Sequence, residues 1–285
     1  MRFLITGCKG QLGTELQRTF ASSGFDHHEV FGVDRPEIDL ERRDVAVAAV
    51  CEAEPDVIIH CAAFTAVDAC EADPDAAFAA NELATRWVAD GARRVGAHMV
   101  YLSTDYVFDG TLATPYRESD TPNPQSVYGK SKLAGERQLD PAWTIARTSW
   151  VCGEFGNNIV KTVLQLAAKQ TPLKFVTDQI GCPTLTTDLA PALIRLGIER
   201  APGIFHVTNN GAVSWYQFVQ RILRAGGFDE SLVEPILTAE MQPARPAPRP
   251  ANSVLSNAAL CAIGIGPLRD FTEPLAAAVT AILQS

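Results

Sequence analysis

The sequence lacks several features that mark particular classes of protein. No apolar run in its 285 residues approaches the ~18 that cross a membrane, and the stretch MRFLITGCKG does not have the pattern of a signal peptide. Its seven cysteines form no Cys-x-x-Cys pair, and its five histidines have no metal-ligand spacing. We therefore expect reduced thiols, a cytoplasmic protein and no metal ligands within the chain.

Basic charge is also scarce. The formal net charge is −9 and the sequence pI is ≈ 5.1. This balance argues against nucleic acid or an anionic membrane as the main partner, although a local site can still bind an anionic small molecule.

What the sequence does contain is a regular alternation of apolar runs and amphipathic stretches over residues 1–150. The apolar runs predict buried parallel strands at 2–6, 30–34, 56–62, 98–103 and 143–148. The stretches between them predict helices at 11–21, 44–53, 75–95 and 126–138. Crossovers between strands this apolar cover both faces of a sheet, so the pattern predicts an α/β fold with a doubly wound Rossmann-type parallel sheet.

The alternation loosens after residue 150. We predict a dinucleotide-binding domain over 1–150, completed by parts of 171–200, and a smaller C-terminal α/β substrate lobe over 151–285. Helices are expected near 157–170, 186–200, 214–226 and 270–284. Residues 242–250, QPARPAPRP, contain four prolines and are expected to form an extended surface segment.

Three glycines follow the first predicted strand. In ITGCKGQLGTEL, Gly7, Gly10 and Gly13 lie between that strand and the first helix. Glycines in such a turn allow a tight bend, close approach of a pyrophosphate and close helix–strand packing, with the diphosphate at the helix N-terminus. The spacing favours dinucleotide binding over the alternative, a purely structural turn.

An acidic residue ends the second predicted strand. Asp34 stands where a carboxylate would bind the adenosine ribose hydroxyls. Arg35 follows directly and could pair with a 2′-phosphate, so the choice between NADH and NADPH stays open, as does a solvated Asp-Arg turn. Asp39 and Leu40 are weaker candidates for the adenine end.

The third and fourth predicted strands end in further candidates. Ala62 and Ala63, then Phe64 and Thr65, give small side chains at a strand end where a cofactor passes, or merely tight packing under a helix. Val67 and Asp68 follow on a loop and could contact substrate or be solvated.

Hydroxyl groups stand at the end of the fourth strand. Ser103 and Thr104 place them at the mouth of the expected crevice, and no helical pattern follows for some twenty residues, which weakens the alternative of a helix cap. Tyr128 and Lys132 lie four residues apart on one face of a predicted helix. A phenol beside an ammonium can act as a proton donor, but this spacing also occurs by chance. Gly129 between them is expected to clear room for substrate or cofactor.

Together these residues resemble the extended short-chain dehydrogenase/reductase superfamily. The motifs AAFTAVDACE, STDYVFDG, VYGKSKLAGE, RTSWV, DQIGCPT and RPANSVL, in this order, resemble the dTDP-4-dehydrorhamnose reductases across nearly the whole chain. The resemblance implies NADPH- or NADH-dependent reduction of the C4 ketone of dTDP-4-dehydro-L-rhamnose, with hydride from the nicotinamide.

The same resemblance implies roles for individual residues. Thr104, Tyr128 and Lys132 would be catalytic, with Tyr128 donating the proton, Lys132 lowering its pKa and Thr104 sharing the developing charge. The cofactor would contact Tyr128, Lys132 and a set beginning at the glycine turn: Gly7, Gly10, Gln11, Leu12, Gly13, Asp34, Asp39, Leu40, Ala62, Ala63, Phe64 and Thr65. The substrate would contact Val67, Asp68, Thr104, Asp105, Tyr128 and Trp150. Trp215, Arg249 and Asn252 are further candidates, although Trp215 could equally lie in the core.

Two alternatives keep the fold but change the outcome. A nucleotide-sugar 4-epimerase would use the same catalytic residues and retain its NAD, and a regulatory subunit with this fold would not catalyse. The family resemblance also leaves open a homodimer and a Mg²⁺ ion at a subunit interface. Glu15, expected to be exposed on the first helix, is not accompanied by a carboxylate cluster that would hold such an ion within one chain.

Overall fold

The structure, a computed structural model, describes residues 1–22 and 24–284. Strands and helices alternate in its N-terminal half as predicted. They are β1 (Arg2–Thr6), α1 (Gln11–Phe20), β2 (Glu29–Val33), α2 (Arg43–Ala53), β3 (Val57–His60), α3 (Val67–Ala72), α4 (Pro74–Phe78), a π-helical turn (Ala79–Leu83), α5 (Ala84–Val95), β4 (His98–Thr104), a 3-10 turn (Asp105–Val107), α6 (Val127–Glu136) and β5 (Thr144–Thr148). The helix predicted over 75–95 is therefore interrupted by a π-helical turn.

The C-terminal half has shorter strands between its helices. Its elements are β6 (Val151–Cys152), α7 (Ile159–Ala168), β7 (Leu173–Val176), β8 (Ile180–Gly181), β9 (Thr184–Leu185), α8 (Thr186–Ile198), β10 (Gly203–His206), β11 (Val213–Ser214), α9 (Trp215–Ala225), a 3-10 turn (Glu230–Leu232), β12 (Val233–Ile236), a 3-10 turn (Thr238–Glu240), α10 (Ala258–Ala262) and α11 (Thr272–Gln284). The predicted helices all appear, and residues 242–250 are neither helix nor strand.

A six-stranded parallel sheet organises the molecule. Its strand order is β10-β5-β4-β3-β1-β2, so the chain moves outward from β1 to β2 and then returns to β3 on the other side. This confirms the predicted doubly wound Rossmann-type sheet. The reversal lies between β1 and β3, whose ends are in register at Thr6 and His60. Ligands in such folds bind outside this point.

Helices cover both faces of the sheet because alternate side chains of a strand point to opposite sides. Phe3 of β1 packs with Leu16 of α1 and Leu193 of α8. Leu4, the next residue, faces the other side and packs with Val50 of α2. The edge strand β2 differs from the prediction, since each of its residues is half-buried or exposed.

The C-terminal half contributes to the sheet and also forms a core of its own. Strand β10 pairs with β5, and α8 packs on α1. Phe218 of α9, Leu164 of α7 and Val279 of α11 belong to a separate buried cluster. The division of the chain near residue 150 stays a prediction. No helix in the described ranges 1–22 and 24–284 is both long and apolar enough to cross a membrane.

Candidate active site

A cavity of about 770 Å³ opens at the carboxyl ends of the central strands. It brings together residues that are far apart in the sequence. The predicted site residues that line it are Gly7, Gly10, Gln11, Leu12, Gly13, Asp34, Leu40, Ala62, Ala63, Phe64, Thr65, Val67, Thr104, Asp105, Tyr128, Lys132 and Trp150, together with Trp215. The strand-end rule therefore located most of the cavity wall.

The glycine turn fits a dinucleotide cofactor. Gly7 adopts a left-handed φ of 69°, and a Cβ added there would lie 2.8 Å from the backbone nitrogen of Ala62. A Cβ on Gly13 would fall on the carbonyl oxygen of Gly7. Side chains at these positions would collide with the neighbouring backbone, so both glycines allow the close packing of β1, β3 and the start of α1. The buried Oε1 atom of Gln11 has no hydrogen-bond partner, so a polar group in the cavity could use it.

The part of the cavity near the end of β2 has charges of both signs. The Asp34 carboxylate accepts hydrogen bonds from the backbone N–H groups of Lys9 and Arg35, each at 2.8 Å. The Arg35 guanidinium lines the cavity and binds Asp39 at 2.9 Å and Glu41 at 2.6 Å. Asp39 itself lies outside the cavity lining, so its contact with adenine stays a prediction.

Thr104 ends β4 and also caps the turn that follows. Its Oγ1 donates to Asp105 Oδ1 at 2.9 Å and accepts the N–H of Tyr106 at 3.2 Å. Thr104 is therefore also a cap, as the alternative interpretation held. It caps a 3-10 turn, which has no helical sequence pattern. Asp105 is 2% exposed and its Oδ2 atom has no partner. Burial raises the pKa of the Asp105 carboxyl to about 6.

Tyr128 and Lys132 project from one face of α6. Ser126 caps this helix by accepting the N–H of Gly129 at 3.1 Å, which fixes where the helix begins. Both side chains are buried. The Lys132 ammonium lies 4.1 Å from the centre of the Tyr101 ring, and the Tyr101 hydroxyl donates to the Lys132 carbonyl at 3.2 Å.

Burial disfavours the charged form of both side chains and shifts their pKa values accordingly. It raises the pKa of the Tyr128 phenol, and the Thr104 side chain is the main influence that lowers it. Burial lowers the pKa of Lys132 to about 7, against the opposing pull of Glu136. Lys132 is not among the leading influences on the Tyr128 pKa, which differs from the expected effect of the lysine on the phenol.

The part of the cavity lined by Trp150 and Trp215 is aromatic. Trp150 stacks on Trp215 with ring centroids 3.7 Å apart and an interplanar angle of 10°. Trp150 has a left-handed φ of 48°, a conformation that is rare for a bulky residue and that clusters at functional sites. Trp215 is the first residue of α9, which Ser214 caps together with Gln217. The stack therefore joins the sheet to the C-terminal core.

Comparisons with known proteins agree with this architecture. A family model described as the RmlD substrate binding domain matches residues 1–284. The spore coat polysaccharide biosynthesis protein SpsK of Bacillus subtilis (strain 168) is 40% identical over 277 residues, which cover 96% of this chain and 95% of SpsK. The chain belongs to the RmlD family.

Solved structures of the family superpose closely. A dTDP-4-dehydrorhamnose reductase from Clostridium acetobutylicum is 41% identical, with a TM-score of 0.93 and full coverage of both chains. A dTDP-4-dehydrorhamnose reductase from Bacillus anthracis, in complex with NADP, is 35% identical with a TM-score of 0.92, covering 98% of each chain. These matches confirm the resemblance that the sequence motifs indicated.

Three predicted substrate contacts of this RmlD-family chain lie elsewhere. The Asp68 carboxylate binds the Arg249 guanidinium through two hydrogen bonds of 2.9 and 2.8 Å. It also accepts the N–H of Ala247 at 3.2 Å. Asn252 donates to the carbonyls of Leu112 and Thr114. None of Asp68, Arg249 and Asn252 lines the cavity, so their substrate contacts stay predictions.

Sequence reasoning missed other residues in the cavity wall. Thr148 ends β5 beside Thr104, with which it is in register, and its buried Oγ1 has no partner. The strand-end rule that selected Thr104 could have found it. Tyr106 packs edge-on against Tyr128 at 5.4 Å, and no periodicity signals this contact. The remaining such residues are Ile38, Glu41, Cys61, Ala76, Ala80, Ala84, Leu102, Ser149 and Val151.

Glu15 is not exposed, which corrects the expectation from the sequence. It is 3% exposed, its Oε2 accepts the Thr186 hydroxyl at 3.3 Å, and Arg18 lies 3.8 Å from its Oε1. Packing of α1 on α8 buries it, and burial raises its pKa. Within residues 1–22 and 24–284, no three His, Cys, Asp or Glu side chains are grouped so that they could hold a metal ion.

Proposed function

We propose that this chain reduces the C4 ketone of dTDP-4-dehydro-L-rhamnose to give dTDP-L-rhamnose, with NADPH or NADH as hydride donor. The observation that carries the proposal is that Thr104, Tyr128 and Lys132 line the same cavity as the glycine turn. A hydride donor and a proton donor can therefore reach one carbonyl group. The similarity to dTDP-4-dehydrorhamnose reductases over the whole chain supports this substrate class.

The cofactor supplies the hydride, and the chain supplies its binding site. The turn of Gly7, Gly10 and Gly13 would take the diphosphate at the N-terminus of α1, where backbone N–H groups and the helix dipole favour an anion. Asp34 would bind the adenosine ribose hydroxyls, and Arg35 could pair with a 2′-phosphate on that ribose. Ala62 and Ala63 leave room along the end of β3, and Thr65 follows them.

The protein's own residues would handle the proton. The raised pKa of Tyr128 keeps the phenol protonated, which is the form that can donate to the carbonyl oxygen. The phenolate left behind is costly in a buried site unless a cation accompanies it. Lys132, one helical turn away, would supply that cation. The Thr104 hydroxyl, which donates to Asp105 in the structure, would turn to donate to the oxygen as charge develops on it.

The sugar nucleotide would lie at the aromatic end. Trp150 and Trp215 offer flat apolar surface for a ring, and Val67 adds to that wall. The unpartnered Oδ2 of Asp105 would accept a sugar hydroxyl. A carboxylate at this position favours binding of a substrate that has a hydrogen-bond donor there and disfavours one that lacks it.

The decisive experiment is turnover with the expected substrate. Purified protein is given dTDP-4-dehydro-L-rhamnose with NADPH or NADH, cofactor oxidation is followed by absorbance, and the C4 configuration of the product is read by NMR. We expect stoichiometric oxidation and dTDP-L-rhamnose. NAD that stays bound through gel filtration, with interconversion of sugars and no net oxidation, would establish an epimerase instead. Absence of turnover with tight binding to a second protein would favour the regulatory alternative.

We also propose a cytoplasmic location. All seven cysteines are free thiols, a state that a reducing compartment maintains. Homodimer formation stays a prediction, and sedimentation of the purified protein would test it.

A further inference from the structure

A buried ion pair lies behind the catalytic residues. Arg147 donates through Nε to Glu136 Oε1 at 2.9 Å and through Nη2 to Oε2 at 2.7 Å. Ser103 Oγ donates to Glu136 Oε1 at 2.5 Å. The side chains of Arg147 and Glu136 are only 2% and 4% exposed. None of these contacts belongs to the proton donor, its cation or the cofactor cradle.

The three residues join the elements that carry the catalytic groups. Ser103 of β4 and Arg147 of β5 are opposite one another in the sheet, and the next pair is Thr104 with Thr148. Glu136 lies on α6, one turn beyond Lys132 and two turns beyond Tyr128. Residues spaced by four share a helix face. One carboxylate thus fixes the distance between the end of β4 and the helix that holds the proton donor.

Glu136 also acts on the charge of Lys132. The groups that face the Lys132 ammonium are Glu136 on its own helix, Cys61 and His60 at the end of β3, and the Tyr101 ring on β4. Glu136 favours the charged amine, and the Lys132 ammonium in turn adds to the burial that lowers the pKa of His60. Tyr101 presents its ring face. Glu136 is therefore the carboxylate that counters the burial of Lys132.

Stability alone does not account for this arrangement. Taking two charges out of water costs several kcal/mol per ion, and buried pairs can often be replaced by apolar residues without loss. The Arg147 Nη1 atom is buried without a partner, so the pair is not fully satisfied. A pair that is expensive to bury and lies directly behind a catalytic strand end points to a role in the site.

We propose that Glu136, fixed by Arg147 and Ser103, is a positioning residue that sets Thr104 against Tyr128 and keeps Lys132 protonated during turnover. This inference rests on the proposed reductase function. Two effects are distinct. The hydrogen bond from Ser103 to Glu136 sets the position of Thr104 relative to Tyr128, and the charge of Glu136 keeps Lys132 protonated.

The charge effect is tested with the double variant Glu136→Gln/Arg147→Met. This variant removes both charges of the pair, so neither member is left buried without its partner. We expect the variant to fold, with kcat reduced ~10-fold or more. The alkaline limb of its kcat–pH profile should move down by about one pH unit, because Lys132 loses its proton more readily without the carboxylate. A folded double variant with the wild-type pH profile would overturn the proposal. The exposed pair Arg224 and Glu230, changed to Gln/Gln, is the control.

The geometric effect is tested with Ser103→Ala, which keeps both charges. We expect kcat to fall ~5-fold or more, with KM for the sugar nucleotide and the pH limb unchanged. Wild-type kcat in this variant would refute the positioning role even if the double variant did not fold. Failure of the proposed function looks different, since the wild-type protein itself would then not oxidise NADPH with this substrate.

Discussion

At the scale of single residues, the site combines a phenol and an amine that burial pushes towards their neutral forms. The neutral form suits the role proposed for Tyr128, since a proton donor must carry its proton. It does not suit Lys132, whose pKa burial lowers to about 7. The site therefore contains one group that burial helps and one whose charge must be maintained against burial.

Replacing Tyr128 tests the proton donor. Tyr128→Phe keeps the ring and its contact with Tyr106 but removes the hydroxyl. We expect kcat to fall by at least ~10²-fold, the low end for loss of a general acid, while the melting temperature changes little. Steady-state kinetics with NADPH provide the measurement. Near-wild-type turnover would show that another group donates the proton.

Replacing Lys132 tests the cost of its charge. The folded-state pKa of about 7 lies below the ordinary lysine value of 10.5, so the unfolded chain binds the proton more tightly. The destabilisation is complete below about pH 7 and disappears as the pH rises towards the unfolded value. Lys132→Met should therefore stabilise the protein without cofactor by ~1–3 kcal/mol at pH 7, and the gain should shrink by pH 9.

Thermal unfolding at several pH values measures this effect, with the exposed Lys169→Met as control. Reduced stability of Lys132→Met at pH 7 would contradict the reasoning. The same variant should lose reductase activity, so a more stable protein would be a less active one.

At the scale of elements, α6 is positioned by close packing as well as by hydrogen bonds. Gly129 was expected to clear room for a ligand, and the structure assigns it a different task. A Cβ there would fall on the carbonyl oxygen of Tyr106 and lie 3.0 Å from Pro124 Cβ, and Gly129 does not line the cavity. The glycine lets the helix approach the 3-10 turn after Thr104.

Gly129→Ala should therefore damage the fold and the site together. Overpacking at a backbone atom that cannot move aside typically costs ~1–3 kcal/mol, and the shift of α6 should lower kcat by displacing Tyr128. Chemical denaturation and kinetics measure the two effects. Lys130→Ala, an exposed change in the same helical turn, is the control. An unchanged midpoint would contradict the packing account.

At the scale of the whole molecule, several donors of the proline-rich segment converge on one carboxylate of the N-terminal half. Asp68 on α3 binds Arg245 at 3.2 Å, both nitrogens of Arg249 and the N–H of Ala247. A segment with four prolines donates few backbone hydrogen bonds of its own. Its position over α3 therefore depends on Asp68.

Asp68→Asn should loosen this attachment. Hydrogen bonds to a charged group contribute about 1.5–3 kcal/mol, so amide exchange in residues 242–250 should become ~10-fold faster or more. Hydrogen–deuterium exchange with mass spectrometry measures it. Asp44→Asn, which removes an exposed partner of Arg42, should leave exchange in this segment unchanged. Equal protection in Asp68→Asn would show that other contacts hold the segment.

Much of the site could be predicted because strand ends are local signals. Gly7, Ala62 and Thr104 each follow an apolar run, and parallel strands bring such ends to one edge. Glu15 shows where local signals fail, since nothing in its neighbourhood reveals that Thr186 will cover it. Local signals do not reveal the partner of Asp68 either, because Arg249 is 181 residues away.

The sequence by itself determined the order of strands and helices, the glycine turn and the residues at the strand ends. Apolar periodicity and glycine spacing act within a few residues, so they can be recognised without the fold. Only the tertiary structure decided which charges are buried and with whom. The Glu136–Arg147 pair and the enclosure of Lys132 exist because the sheet and α6 close around them, and desolvation depends on every element that packs there.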